Sequence, residues 1–267
     1  MITDHERIGI VGHGYVGEAI SQSIIYPLEK IIVDPYKGYT SSYHDIKKEC
    51  SGIFVCVPSP QLYDGSCDTS IVEEVFKNLQ GYQGVVISKV TAPPDFYEEW
   101  GKKLPNLVYI PEFLRANSSV TDFHAAEWII VGGTVPAYQR EAVRIISHLQ
   151  PNIKRIEYCE IGQAAFVKYS INTFLATKVV FMNELYQLAE KKNYNWDYIS
   201  LLISLDKRVG DSHMQVPGPD THYGFGGSCF PKDTDALLKY AEEHGVNLNT
   251  LNAAAKKNTL LRLTKPK

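Results

Sequence analysis

Residues 7–17 read RIGIVGHGYVG, and this stretch decides the fold. An apolar run leads into Gly12, Gly14 and Gly17, and a helical pattern follows over residues 18–25. Glycines at this spacing form a tight turn and let the backbone approach a pyrophosphate at the N-terminus of the next helix. Asp34 closes the second apolar run, 17 residues after Gly17. The combination predicts a dinucleotide-binding strand–turn–helix–strand unit.

The choice of cofactor follows from the charge at the end of the second run. A carboxylate there accepts hydrogen bonds from ribose hydroxyls and repels a 2′-phosphate, so Asp34 favours NAD over NADP. Lys37 is close enough in sequence to offset part of that charge. The residues that this motif predicts to bind the cofactor are Gly12, Gly14, Tyr15, Val16, Gly17, Asp34 and Lys37.

Short apolar runs separated by helical patterns continue through the first half of the chain. Such β-branched runs without strict alternation are typical of strands buried on both faces of a parallel sheet. The sequence therefore predicts an α/β fold, with a Rossmann-like doubly wound parallel sheet forming an NAD-binding domain over residues 1–157. The predicted strands are Ile8–Val11, Ile31–Val33, Ile53–Val57, Val85–Ser88, Leu107–Ile110 and Trp128–Val131.

A different pattern begins near residue 158. Residues 160–193 contain no proline and repeat apolar residues every three or four positions, which predicts one helix of about 30 residues, roughly 45–50 Å long. A helix of this length is expected to span both domains or to pack on a second subunit. A short helix over 196–205, a Gly/Pro-rich loop over 209–231 and one or two closing helices complete a predicted all-α central domain over residues 158–267.

Composition excludes several classes of protein. The 267 residues carry a net charge of −3, so no basic surface for nucleic acid is expected. No apolar run reaches the roughly 18 residues of a membrane span, and the first residues lack the apolar core of a secretory signal. The odd number of cysteines, five, indicates reduced thiols in a cytoplasmic protein, and the scattered histidines predict no metal site.

Residues 224–233, GFGGSCFPKD, place a thiol beside glycines and charged residues. Because a thiolate near a cation such as Lys232 is an activated nucleophile, Cys229 is the candidate catalytic residue. Lys168 and Asn172 lie four residues apart on one face of the long helix. An amine and an amide placed in this way can polarise a hydroxyl that becomes a carbonyl. The other four cysteines are interpreted as small buried or loop residues.

In chain order these motifs resemble the nucleotide-sugar dehydrogenases of the UDP-glucose and GDP-mannose type, over residues 7–258. The shared motifs are the GxGxxG at 12–17, VPSP at 57–60, KVT at 89–91, PEFLR at 111–115, KxxxNxFLAxK at 168–178, DxRxG at 206–210 and GFGGSCFPKD at 224–233.

The resemblance implies oxidation of a sugar C6 alcohol to a carboxylate in two hydride transfers to NAD. Cys229 would trap the aldehyde as a thiohemiacetal that becomes a thioester, while Lys168 and Asn172 hold the oxyanion. Asp233 and Thr91 would position water or relay protons, and Glu112 would be a general base or water ligand. The other residues implied to bind substrate are Phe113, Leu114, Arg115, Phe225, Gly226, Gly227 and, toward a neighbouring subunit's substrate, Arg208; those implied to bind cofactor are Pro58, Thr91 and Lys232.

The sequence departs from that family in four places. It ends where a third, nucleotide-gripping domain is expected, so we expect the partner in a homodimer or a separate protein to hold the nucleotide end. Ala116 stands where a glutamate that helps to hold the catalytic water is usual. Ala126 and Trp128 replace a usual proline and arginine, and the loop between Arg208 and Cys229 is unusually long and holds residues 220–223 just ahead of the glycine-rich stretch.

Two alternatives to an active, homodimeric nucleotide-sugar 6-dehydrogenase stay open. A two-domain β-hydroxyacid dehydrogenase would use Lys168 and Asn172 without a nucleophilic cysteine. A degenerate NAD-binding protein that regulates or scaffolds a complete dehydrogenase would fit Ala116 and the early end of the sequence. Turnover of a nucleotide sugar that depends on Cys229 separates the first hypothesis from both alternatives.

Overall fold

The computed structural model describes residues 6–115 and 118–266, in which the chain divides into two units. The first unit comprises the described residues up to Pro60 and those from Asp68 to Lys168. The second comprises Gln61–Cys67 and the described residues from Tyr169 onward. This division falls inside the long helix, beyond the boundary predicted at residue 157, because the first turns of that helix pack in the core of the first unit.

A seven-stranded sheet forms the centre of the first unit, in the order β2-β1-β3-β4-β5-β6-β7. Strands β1 to β5 are parallel, β6 is antiparallel to β5, and β7 is parallel to β6. The strands are β1 (Arg7–Val11), β2 (Glu29–Val33), β3 (Gly52–Val55), β4 (Val85–Ser88), β5 (Leu107–Tyr109), β6 (Trp128–Gly133) and β7 (Arg155–Cys159). The Rossmann-like doubly wound prediction is confirmed for the first five strands.

The sheet is parallel except at its far edge, where β6 pairs with β5 in the antiparallel direction. The chain leaves β5 through a seven-residue helix, α5 (Ser119–Ala125), which packs on α1 (Tyr15–Ser23). Tyr109 at the end of β5 pairs with Gly132, so β6 begins beyond the carboxyl end of β5 and runs backward. The seventh strand was not predicted, because it is an edge strand whose residues are exposed or half-buried and include three charged or polar side chains.

Helices cover both faces of this sheet. On one face, α2 (Tyr43–Glu49), α3 (Ser70–Leu79) and α4 (Pro94–Lys103) bury a core with the first turns of the long helix. On the other face, α1, α5 and α6 (Pro136–Leu149) bury a second core. A short 3₁₀ helix, Pro35–Lys37, follows β2. Strand β2 lies on one side of β1, and β3 with the strands that follow lies on the other side. The strand order therefore reverses between β1 and β3, and their carboxyl ends form the topological switch point.

The predicted long helix is confirmed as α7 (Ile161–Lys191), 31 residues and about 46 Å long. Its later turns form the core of the second unit with α8 (Trp196–Ser204), α9 (Phe230–Glu243) and α10 (Asn249–Leu263). A strap, Gln61–Cys67, also belongs to this unit, and its Gln61 amide donates to the Asp235 carboxylate on α9 at 2.8 Å. Within the described residues, no helix combines the length and apolarity that crossing a membrane requires.

Candidate active site

The glycines of the turn after β1 meet the demands predicted for them. Gly12 has φ +87°, and a Cβ there would come within 2.9 Å of the Cys56 and Val57 backbone. A Cβ on Gly17 would overlap the Gly12 carbonyl. Gly14, in contrast, is exposed and a Cβ there would meet nothing within 4 Å. The N-terminus of α1 is therefore open at Gly14 to a pyrophosphate, as an NAD site needs.

Asp34 ties this turn to the end of β2. Its Oδ2 accepts from the His13 backbone N–H at 2.7 Å, and its Oδ1 accepts from the Lys37 backbone N–H at 3.2 Å. Burial lowers the pKa of the His13 imidazole, whose Nε2 is buried without a hydrogen-bond partner. The Lys37 and Tyr15 side chains are exposed, and Val16 is half-buried in the first turn of α1. The Asp34 carboxylate thus bonds to the backbone of both the glycine turn and the segment after β2.

Glu112 is the centre of a buried charged cluster after β5. Its Oε2 lies 2.9 Å from the Lys89 ammonium, and its Oε1 accepts from the Phe113 backbone N–H at 3.0 Å. The Lys168 ammonium, on α7, donates to the Glu112 carbonyl and lies 4.7 Å from the centre of the Phe113 ring. The Glu112 carboxylate thus compensates for the burial of the Lys89 ammonium, and the Glu112 backbone carbonyl accepts from the Lys168 ammonium.

The loops after β3 and β4 are joined beside this cluster. The Ser59 hydroxyl donates to the Thr91 carbonyl at 2.7 Å. Thr91 is half-buried and Pro58 is exposed at the surface of the first unit. Both residues follow the carboxyl ends of parallel strands, the edge at which doubly wound sheets bind ligands.

The two residues after Phe113 have different environments, one packed against the core and the other exposed at the surface. Leu114 packs against the core beneath α1 and α5. Arg115 is exposed and forms a two-pronged ion pair with Asp122, at 2.6 and 3.0 Å. Hydrogen bonding from Arg115 is the largest cause that lowers the pKa of Asp122, to about 2. The prediction about Ala116 lies outside the described residues.

Cys229 immediately precedes α9, at the end of the glycine-rich loop. Its side chain is half-buried, and the Ser228 hydroxyl lies 3.7 Å from its sulfur. Burial raises the pKa of two other cysteine thiols, Cys50 and Cys56, to about 12.

Asp233 lies one helical turn beyond the thiol and is nearly fully buried. Its Oδ2 accepts from the Asn172 amide at 2.6 Å, and its Oδ1 accepts from the Lys232 ammonium at 2.7 Å. Its backbone N–H donates to the Cys229 carbonyl at 2.8 Å. The second unit therefore brings Asn172, Lys232 and Asp233 together next to the helix turn that begins at Cys229.

Two buried amides hold the glycine-rich loop from neighbouring helices. Asn258 on α10 accepts from the Phe225 N–H at 2.7 Å and donates to the Phe225 carbonyl at 3.0 Å. Asn183 on α7 accepts from the Gly224 N–H at 3.1 Å. The Phe225 ring is buried in the core of the second unit, so this residue anchors the loop by both its ring and its backbone. Gly227 is exposed, with φ +77°.

The residues just ahead of the glycine-rich loop pack against it. Asp220 forms an ion pair with Arg262 of α10 at 2.6 Å, and a Cβ on Gly226 would lie 2.8 Å from the Asp220 carboxylate. The Asp220 carboxylate therefore lies so close to Gly226 that a side chain at that position would have to displace it. Arg208, in contrast, is exposed and paired with Asp206 at 2.6 Å.

Sequence reasoning missed the residues that position the others. The Lys178 ammonium donates to the carbonyls of Val209, Gly210 and Ser212, directly after Arg208. Lys89 and Asn258 likewise act only through partners that are distant in sequence. Lys89, a lysine between strand-like residues, carried a weak signal of burial, whereas Asn258 carried none. Among the described residues, no group of three or more His, Cys, Asp or Glu could hold a metal ion.

Comparison with known proteins agrees with the order of these elements. Residues 28–150 match the model of the NAD binding domain of the UDP-glucose/GDP-mannose dehydrogenase family, and residues 162–260 match the model of that family's central domain. The UDP-glucose 6-dehydrogenase of Rickettsia felis is 30% identical over 82% of this chain and 50% of its own length. The chain spans about half the length of the curated relatives that it matches first.

Solved structures agree on the fold. A UDP-glucose dehydrogenase from Pyrobaculum islandicum superposes with a TM-score of 0.78 at 23% identity, covering 96% of this chain and 68% of its own. A 3-hydroxyisobutyrate dehydrogenase from Mycobacterium tuberculosis superposes with a TM-score of 0.73 at 17% identity, covering 94% and 92%. With two adjacent domain models matched in order, the chain belongs to the UDP-glucose/GDP-mannose dehydrogenase family.

Proposed function

We propose that this chain carries the residues for NAD-dependent oxidation of a nucleotide-sugar C6 alcohol to the carboxylate, as in the conversion of UDP-glucose to UDP-glucuronate. One observation carries the proposal: a half-buried Cys229 begins the helix that also presents Asp233, held by Asn172 and Lys232. A β-hydroxyacid oxidation has no use for that thiol. The relatives named UDP-glucose 6-dehydrogenase support the class of substrate.

The proposed chemistry needs a thiol, an oxyanion holder and a water. NAD, when bound, accepts a hydride from the sugar carbon in each of two oxidations. The alcohol first loses that hydride and its hydroxyl proton and becomes an aldehyde. The Cys229 sulfur then bonds to the aldehyde carbon while its proton goes to the oxygen, which gives a thiohemiacetal. A second loss of hydride and proton leaves a thioester, and water releases the carboxylate and restores the thiol.

The surrounding residues take up the charges that these steps create. Lys168 and Asn172 are assigned to the oxyanion, because an ammonium and an amide donate hydrogen bonds that strengthen as negative charge develops. Asp233 is assigned to the water that attacks the thioester, since its two donors fix the orientation of the carboxylate. Glu112, fixed by Lys89, and Thr91 are assigned to proton transfer and to the wall of the sugar site.

The cofactor assignments rest on the first unit. Gly14 and the N-terminus of α1 are proposed to receive the pyrophosphate, and Asp34 is proposed to receive the adenosine ribose. Pro58 and Lys232 are retained as cofactor contacts. Residues of two loops are retained as substrate contacts: Leu114, Arg115, Phe225, Gly226 and Gly227. Among them, Phe225 acts through its hydrogen-bonded backbone.

We also propose that the chain forms a homodimer along α7 and α8. Phe174, Phe181 and Leu188 recur every seven residues on α7 and are all more than half exposed. Leu201, Leu202 and Leu205 are exposed on and just after α8. A helical face of this kind is self-complementary in a two-fold pair, and scattered apolar exposure on a monomer does not produce a seven-residue repeat. Arg208, exposed three residues beyond Leu205, would then face the partner.

The direct test is turnover across a panel of candidate substrates. Purified protein with NAD is mixed with UDP-glucose, other nucleotide sugars and 3-hydroxy acids, and NADH absorbance is followed beside Cys229→Ala. NADH formation from a nucleotide sugar that reaches two NADH per sugar in the wild type but stops short of the second oxidation in Cys229→Ala supports the proposal. Turnover of a 3-hydroxy acid that survives Cys229→Ala would instead select the β-hydroxyacid reaction. NAD binding without turnover of any panel member would favour a regulatory or scaffolding role.

A further inference from the structure

Trp128 is the half-exposed aromatic residue at the start of β6. Its side chain is 45% exposed, whereas the other two tryptophans, Trp100 and Trp196, are 3% and 6% exposed. The Trp128 ring packs on Phe113 with 5.2 Å between ring centres. One side of the indole contacts a second ring while its other side stays in solvent. Exposing that apolar side to water is unfavourable, which makes Trp128 a candidate ligand contact.

The sheet register places Trp128 at the ligand-binding edge. Tyr109, the last residue of β5, pairs with Gly132 of the antiparallel β6. Trp128 precedes Gly132 by four residues, so it extends about 13 Å beyond the carboxyl end of β5. That edge of a doubly wound sheet is where ligands bind, and here it also carries Glu112 and Phe113.

Strand alternation also sets the direction of the side chain. Ile129 and Val131 belong to the core beneath α1, α5 and α6, whereas Ile130 packs against the core that includes the start of α7. Since alternate residues of a strand share a face, Trp128 lies on the same face as Ile130. This is the face that also carries Lys168, whose ammonium lies 4.7 Å from the Phe113 ring.

We propose that Trp128 and Phe113 form an aromatic platform that stacks on the pyranose ring of the nucleotide sugar. The inference rests on the proposed function and deepens it by assigning a specificity-determining residue. Phe113 connects the platform to Lys168, which is assigned to the reacting oxygen, so the platform meets the sugar rather than the distant nucleobase. Apolar C–H faces of a pyranose pack well on indole and phenyl rings.

Tryptophan fluorescence tests the platform without turnover. Because the two other indoles are buried, UDP-glucose is expected to quench the emission of Trp128, and UDP without the sugar is expected to leave it nearly unchanged. Trp128→Arg should raise the KM for UDP-glucose about tenfold with kcat and the Kd for NAD changed less than about twofold. Trp128→Phe should restore KM to within about threefold. Tyr158→Ala, at an exposed aromatic residue on the neighbouring strand, is the matched control and should match the wild type.

The outcomes separate this inference from the proposed oxidation. Quenching by UDP-glucose without NADH formation would uphold the platform and remove the oxidation. NADH formation with an unchanged KM in Trp128→Arg would overturn the platform and leave the oxidation standing. Equal quenching by UDP and UDP-glucose would overturn it as well, because the ring in contact would then be the base.

Discussion

The Asn172 amide donates to the Asp233 carboxylate at 2.6 Å, and this bond joins the middle of α7 to the first turn of α9. Both side chains are buried, at 5% and 1% exposure. Asn172, which is itself assigned to the oxyanion, therefore holds the first turn of α9, the helix that follows Cys229. One amide thus orients the carboxylate in the first turn of α9.

Loss of the Asn172 amide should damage chemistry more than binding. Asn172→Ala removes one donor to the oxyanion and one to Asp233, so kcat should fall about 10²–10³-fold with a smaller change in KM. Asn172→Asp should do no better, because it places a second carboxylate against Asp233. Steady-state kinetics with UDP-glucose measure both variants. Equal effects on kcat of Asn172→Ala and of Thr177→Ala, a half-buried position on the same helix, would contradict the assigned role.

Asn258 should be needed for a stable thiol loop. Asn258→Leu leaves the N–H and carbonyl of Phe225 buried without partners, so the free energy of unfolding should fall by about 1–3 kcal/mol. Asn252→Leu, at an exposed position on the same helix, is the control and should change it by less than about 0.5 kcal/mol. Urea unfolding followed by circular dichroism measures both. A similar loss of stability in the two variants would show that the loop does not depend on this amide.

The cysteines should differ sharply in reactivity in the folded protein. Burial raises the pKa of Cys50 and Cys56 to about 12, so both stay protonated and unreactive near neutral pH. Cys229 is half-buried beside exposed loop residues and should react first with iodoacetamide. Peptide mapping after short labelling at pH 8 ranks the sites. Labelling of Cys50 or Cys56 before Cys229 would contradict the assignment of the reactive thiol.

A charge on the exposed face of α7 should break the proposed homodimer. Phe181→Glu places a carboxylate in the middle of the seven-residue repeat, so the mass in solution should fall from that of a dimer to that of a 30.0 kDa monomer. Tyr36→Glu, at a fully exposed aromatic residue outside that repeat, should leave the dimer intact. Light scattering after size exclusion measures the mass. A wild-type monomer, or a Phe181→Glu dimer, would overturn this assembly.

Much of the fold could be predicted because its signals are local. The GxGxxG turn, Asp34 and the 31-residue α7 are visible as spacing and periodicity along the chain. The antiparallel direction of β6 could not be predicted. It depends on how α5 packs between β5 and β6 in the chain, and not on the composition of β6. The edge strand β7 was missed because its exposed faces remove the apolar run that identifies a buried strand.

The candidate site divides in the same way. Cys229 and Asp233 stand in one motif and were identifiable together. The supporting contacts made by Lys89, Lys178 and Asn258 were not, because these side chains bond to partners 23 to 34 residues away. Such a side chain reads in sequence as an ordinary lysine or asparagine, and only the folded contact reveals its role.

The stoichiometry of NADH tests the central claim most directly. A limiting, known amount of UDP-glucose is consumed by the protein in excess NAD, and NADH is counted beside the Cys229→Ser and Cys229→Ala variants. We expect two NADH per sugar for the wild type, formation of the carboxylate product, and failure of both variants to complete the second oxidation. One NADH per sugar, or two NADH in Cys229→Ala, would contradict the role of Cys229 as the residue that carries the sugar between the two oxidations.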